Sequence, residues 1–255
     1  MKRFCASIVL LLSLAGSSFA QQQELIVSAA ASLTDVLNAL KPPAEAFIGS
    51  RVLYNFGGSG ALRRQIEEGA PVDVFFSAAA EDMDKLEKGG LIAQGTRTDL
   101  LSNAIVLVTD MDIPPVGDVD GLRNLLEKAA LLAIGSPDTV PAGRYAVQAL
   151  TSDGLYGAVE KKLVFGGTVR EVLQYVQTGS APLGIVFVTD ALSASAGSHV
   201  RQVYTFPASA LQTPILYPVA VVKASKNPGS AGKLIDFLRS AAAKDAFRAA
   251  GFVVK

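Results

Sequence analysis

Reactive side chains are scarce in this 255-residue sequence, which holds one cysteine, Cys5, and one histidine, His199. With Cys5 in a leader that is removed, the mature chain has no disulfide to lean on and must stand on its apolar core. A single histidine without cysteine partners excludes an ordinary transition-metal cation site. Runs of apolar residues are also short, and none approaches the ~20 residues that a membrane-spanning helix needs. Charge of one sign is missing too: 23 basic residues face 23 acidic ones. That balance leaves no electrostatic footprint for nucleic acid or an anionic membrane.

What is present begins with an export leader. Lys2 and Arg3 precede an apolar run from Ile8 to Ala15, and Ser18-Phe19-Ala20 ends in small residues, so cleavage is expected after Ala20. Cys5 lies before the apolar run and is not placed to become a lipidated N-terminus. Removal of Lys2 and Arg3 leaves 21 basic against 23 acidic residues, a net charge of −2. With 50% apolar residues, the remainder can bury a large core in one large or two medium domains.

Strand-like and helix-like segments alternate, which predicts an α/β fold with largely parallel sheets. Strands are expected over 24–29, 52–56, 72–77, 104–109, 131–134, 163–165, 183–188 and 215–222. Leu33, Val36, Leu37 and Leu40 repeat along one helical face, and Pro42-Pro43 should stop or kink that helix. Further helices are expected over 61–68, 81–88, 119–128, after Pro141, before Lys162, and over 169–177, 229–240 and 242–250. The turn at Pro114-Pro115 reads as the point where the chain leaves its first lobe. The resulting division places 21–105 and 213–255 in lobe one and 106–212 in lobe two. Two crossings between such lobes make a hinge about which a ligand cleft can close.

Four places repeat one local pattern, in which a strand ends, small residues turn, and a helix begins: 29–32, 57–60, 140–143 and 166–169. Small residues let a ligand approach the backbone, and the first N–H groups of a helix have no internal partner. Each helix start carries roughly +0.5 of an elementary charge. Four aimed at one point would offset the two charges of a dianion without Lys or Arg. Helix capping and tight turning explain any one of them equally well, so convergence is the decisive question.

The strings Val27-Ser28-Ala29-Ala30-Ala31-Ser32-Leu33, Phe56-Gly57-Gly58-Ser59-Gly60 and Val72-Asp73-Val74-Phe75-Phe76-Ser77-Ala78 resemble those of the periplasmic molybdate-binding proteins of ABC transporters. The likeness continues through Pro141-Ala142-Gly143-Arg144-Tyr145-Ala146 and 181–187 to the stretch around Pro228, in the family's order. It implies a two-lobed type II periplasmic binding fold, an interlobe cleft, and molybdate or tungstate as ligand. It also implies a monomer without cofactor or catalytic residues, with a membrane permease as partner. The family's two serine donors fall on Ser32 and Ser59, and its backbone donors on Ala142 and Val169. All four would meet the oxygens of the anion, not its metal atom. A fifth position, usually a tyrosine, falls on Phe187, which has no donor. Either water or another residue substitutes there, or the site works with one donor fewer. A donor-only cage also disfavours phosphate, whose proton needs an acceptor.

Other readings compete. Gly57-Gly58-Ser59-Gly60-Ala61 nearly matches a hydrolase nucleophile elbow, with Asp190 and His199 following, but the final glycine is absent. His199 reads better as a surface residue, and Asp73 and Asp190 as capping or hinge residues than as cation ligands. The segment 229–234 only faintly resembles a phosphate loop, being too short and ending in Leu234. The same fold could instead take sulfate, an amino acid or another organic acid. An organic carboxylate usually needs an arginine, and Arg63, Arg64, Arg144 and Arg170 lie near the glycine turns.

Overall fold

A computed structural model describes residues 24–195 and 198–255. The segment expected to be an export leader lies outside the described residues. The order is β1 (Glu24–Ala30), α1 (Thr34–Ile48), β2 (Arg51–Gly57), α2 (Ser59–Glu67), β3 (Val74–Phe76), α3 (Ala80–Lys88), β4 (Thr98–Ser102) and β5 (Ile105–Thr109). There follow α4 (Val119–Lys128), β6 (Leu132–Gly135), α5 (Pro141–Ser152), α6 (Tyr156–Val159), β7 (Leu163–Gly166), α7 (Val169–Gln177), β8 (Leu183–Phe187) and α8 (Val188–Ser195). The chain ends through β9 (Arg201–Thr205), β10 (Leu216–Val221), α9 (Pro228–Leu238), α10 (Ala241–Ala249) and β11 (Val253–Val254).

The strands form two sheets flanked by helices, ordered β11-β4-β10-β3-β1-β2 and β7-β6-β8-β5-β9. Both are mixed, not largely parallel as the alternation suggested. Strand β10 runs antiparallel to β3 and β4, and β5 runs antiparallel to β8 and β9. The parallel pairs are those joined through helices: β1 with β2 and β3, and β6 with β7 and β8. Antiparallel pairing enters where the chain passes from one sheet to the other, because no crossover helix constrains direction there. That passage comes between Ser102 and Ile105, since β5 already pairs within the second sheet. Pro114-Pro115 therefore falls inside the second half of the molecule, and the chain returns through 206–215.

Helix α1 continues through Pro42 and Pro43, so the prolines do not stop it. The two prolines remove donors to the carbonyls of Asn38 and Ala39. All four residues are exposed, on the face of the helix turned away from the core. The opposite face buries Val36, Leu37, Leu40, Ala44 and Ile48, and that packing holds the helix across the gap.

Parallel strands deliver their following helices to one edge of each sheet. In the first half, β1 and β2 lie in register from Glu24 opposite Arg51 to Ala30 opposite Gly57, so the turns after them end side by side. In the second, Gly135 pairs with Gly166, which aligns the turns that precede α5 and α7.

Candidate functional site

All four strand-turn-helix junctions border one cavity between the two halves. Its lining includes Ala30, Ala31 and Ser32 from the first turn and Gly57, Gly58 and Ser59 from the second. Ala78 completes that side. Across from them stand Val140 and Pro141, Val169, and the ring of Phe187 at the end of β8. The cavity measures about 10 Å³, on the scale of the room one water molecule needs. Pockets for drug-sized ligands run to roughly 300–1,000 Å³, far above this one. Of the five residues named from the sequence, Ser32, Ser59, Val169 and Phe187 line it. Ala142 is wholly buried one residue beyond Pro141 and does not itself line it.

The halves touch closely here. The Gly60 N–H donates to the Thr139 carbonyl across the interface at 2.9 Å. A Cβ on Gly58 would sit 2.6 Å from the Thr139 oxygen, and one on Gly60 3.0 Å from Thr139 Cα and its oxygen. These two glycines are therefore needed for the approach of one half to the other; neither has a positive φ.

The helix starts are prepared unequally. At α2 and α5, the capping residues Gly58 and Val140 offer no side-chain hydrogen bond to the first turn. At α7, Thr168 Oγ1 accepts the Glu171 N–H at 3.1 Å, while Glu171 accepts the Gly167 N–H at 2.8 Å. This reciprocal cap fixes the turn and leaves the amide of Val169, the first helical residue, outside the exchange. The positive ends of α2, α5 and α7 face the cavity, and no charged side chain lines it.

Both serines are buried and hydrogen-bonded from behind. Ser59 Oγ accepts the Ala78 N–H at 2.9 Å. Ser32 Oγ lies 3.0 Å from the hydroxyl of Tyr217, a residue on β10 that sequence reading did not single out. Asn103 Nδ2 donates to the same hydroxyl at 3.2 Å, and to Thr189 Oγ1 at 3.0 Å. Burial holds the Tyr217 phenol well above the ordinary range, so it keeps its proton. The Phe187 ring packs edge-on against Tyr217 at 5.7 Å and Tyr145 at 6.5 Å.

The four arginines near the turns are engaged by protein groups. Arg63 pairs with Glu67 and Asp82, and Arg64 donates to the Asp138 carbonyl at 3.1 Å. Arg144 of α5 pairs across the interface with Glu81 and the buried Asp82. Arg170 of α7 reaches Asp35 of α1 at 2.8 Å and the fully buried Asp190 of α8, also at 2.8 Å. Burial, only partly offset by Arg170, pushes the Asp190 carboxyl up to about 6. The hydrolase constellation does not assemble: Ser59 is held by Ala78, Asp190 by Arg170, and His199 is exposed. Asp73 serves as a staple, accepting from Ile26 N–H, Ser225 and Asn227. Among the described residues no group of three His, Cys, Asp or Glu side chains is placed to hold a metal ion.

Comparison with known proteins places the chain in a family. The family model of bacterial extracellular solute-binding proteins matches residues 25–253. The molybdate-binding protein ModA of Haemophilus influenzae is 37% identical over 254 residues, covering 98% of this chain and 97% of that protein. The solved Azotobacter vinelandii periplasmic molybdate-binding protein superposes with a TM-score of 0.80 at 26% identity, covering 91% of this chain and 99% of that one. The sulfate-binding protein SubI of Mycobacterium tuberculosis shares the fold, with a TM-score of 0.76 at 21% identity over 91% of this chain and 86% of its own. The chain belongs to the bacterial extracellular solute-binding proteins and, among them, to the ModA family of molybdate-binding proteins.

Proposed function

We propose that this protein is exported to the periplasm, with its leader cut near Ala20, and there captures molybdate or tungstate for an ABC importer. The observation that carries the reading is the convergence of four helix-start turns and two serines on one small cavity without a charged side chain. Such a cage suits a compact, fully deprotonated dianion, which accepts every hydrogen bond offered. Its lining offers no carboxylate for the ammonium of an amino acid, and the nearby arginines that could meet an organic carboxylate are already engaged. In this reading Ser32 and Ser59 donate through hydroxyls, Ala142 and Val169 through backbone N–H groups, and Phe187 closes the cage without donating. The lobes, 21–105 with 213–255 and 106–212, close on the ligand by hinge rotation, and the closed monomer is what the permease accepts. The protein binds and releases its ligand without catalysis or cofactor.

Thermal unfolding against molybdate, tungstate, sulfate, phosphate and an amino-acid panel tests this. A ligand at 100 times its Kd stabilises by about 2.7 kcal/mol, so molybdate and tungstate should raise the transition temperature while phosphate and amino acids leave it unchanged. A shift with sulfate alone would reassign the ligand within the same cage. A shift with an amino acid alone would overturn the reading.

A further inference from the structure

The two serines differ in what fixes their protons. Ser59 Oγ receives a backbone N–H, from Ala78, and a backbone amide can only donate. The Ser59 proton is thereby free for the cavity. Ser32 Oγ instead faces another hydroxyl, that of Tyr217, and a hydroxyl pair can run in either direction. If Ser32 donated to Tyr217, a lone pair would face the ligand and repel an anion's oxygen.

The surroundings of Tyr217 decide the direction. The Ala104 N–H donates to Asn103 Oδ1 at 2.9 Å, which fixes the orientation of that amide. The Asn103 amino group must then be the one that meets Tyr217, 3.2 Å away, and it too can only donate. With one proton of its own, the Tyr217 hydroxyl accepts from Asn103 and passes its proton to Ser32. Among the described residues these are its two hydrogen-bond partners. Tyr217 is wholly buried and Ser32 nearly so, and the Tyr217 hydroxyl lines neither cavity that Ser32 borders.

We propose that Tyr217, oriented by Asn103, is a positioning residue that makes Ser32 a donor toward the ligand and so sets the preference for oxyanions that carry no proton. The proposal rests on the reading that Ser32 meets the bound anion. Sequence separation explains why nothing local announces it: 185 residues lie between Ser32 and Tyr217, and 114 between Asn103 and Tyr217.

The test is a double-mutant cycle on the full mature chain, with Ser32→Ala, Tyr217→Phe and the two combined. Calorimetric titrations would use molybdate, sulfate and, at mildly alkaline pH, phosphate as its singly protonated dianion. Tyr217→Phe should weaken molybdate and sulfate about tenfold, as expected for a hydrogen bond to a charged ligand that is lost part of the time. Phosphate should lose less, because Ser32 is then free to accept its proton. In the Ser32→Ala background Tyr217→Phe should have no further effect. An equal loss for all three anions, or a full Tyr217→Phe effect on top of Ser32→Ala, overturns the relay and leaves the site reading intact. Wild-type affinity in Ser32→Ala would overturn the site reading itself. Should phosphate bind too weakly to titrate, the cycle with molybdate alone decides. Asn103→Asp provides a second route that leaves Tyr217 in place. Its carboxylate can only accept, which reverses the chain, and molybdate should weaken more than in Tyr217→Phe; because the added charge also repels the anion, a loss that persists undiminished in the Tyr217→Phe background counts against the relay. Unchanged affinity in that variant also counts against the relay.

Discussion

Phe187 carries no hydrogen-bond donor, and its ring touches the cavity directly. Phe187→Tyr should add a donor at the ring's tip and tighten molybdate binding about tenfold, the effect of one hydrogen bond to a charged group. Calorimetry giving equal or weaker affinity would show that the hydroxyl cannot reach the anion. Asp190 makes a different prediction. Its folded value of about 6 lies above the unfolded carboxyl value of 3.8, so the folded state holds this proton more tightly. Its contribution to stability is full below about pH 4 and is lost as the pH rises through about 6, on the order of 3 kcal/mol in all. Asp190→Asn should remove that decline; parallel wild-type and variant curves of melting temperature against pH would refute it. The turns that hold Ser32, Ser59 and Val169 were legible as local strand-turn-helix patterns, whereas Phe187 was named only through the family resemblance. Tyr217 and Asn103 were not, since their roles exist only once β10 and the passage between sheets meet the turn that follows β1.

At the scale of elements, the helix starts and the glycines between them matter most. Gly58 and Gly60 would pass as ordinary turn residues, yet their φ angles suit any amino acid and it is the Thr139 backbone opposite that excludes a side chain. Gly60→Ala should therefore leave each half folded but hold the two apart. We expect at least a tenfold loss of oxyanion affinity with little change in the melting temperature of the ligand-free protein. A large loss of ligand-free stability would mean that the glycine serves the fold, not closure. Helices were read well where an apolar face recurs, as in α4 and α7, whose bounds match expectation. Strands β4 and β9 escaped, because short segments such as Thr98–Ser102 and Arg201–Thr205 mix polar and apolar residues without clean alternation. Proline rules describe the backbone alone and allow a stop at Pro42-Pro43, whereas the buried face of α1 carries the helix past them.

Across the whole molecule, ion pairs bridge the halves on two sides of the cavity. Arg144 reaches Glu81 and Asp82, and Arg170 reaches Asp35. Asp82 is almost wholly buried and also takes Arg63, so Arg144→Ala leaves it one partner. That variant should release molybdate several-fold faster with little change in association rate, because the pair forms only after the halves meet. A slower association with unchanged release would assign Arg144 to capture instead. The two-sheet layout followed from the sequence pattern, but strand direction did not, since direction depends on how the chain passes between sheets and no local signal encodes that. The absence of charged side chains from the cavity reaches beyond binding. A dianion held by neutral dipoles keeps its full charge, so a loaded molecule should run about two charges more negative than an empty one. Native electrophoresis or anion exchange should then resolve the two populations by charge alone, giving a direct count of the fraction loaded.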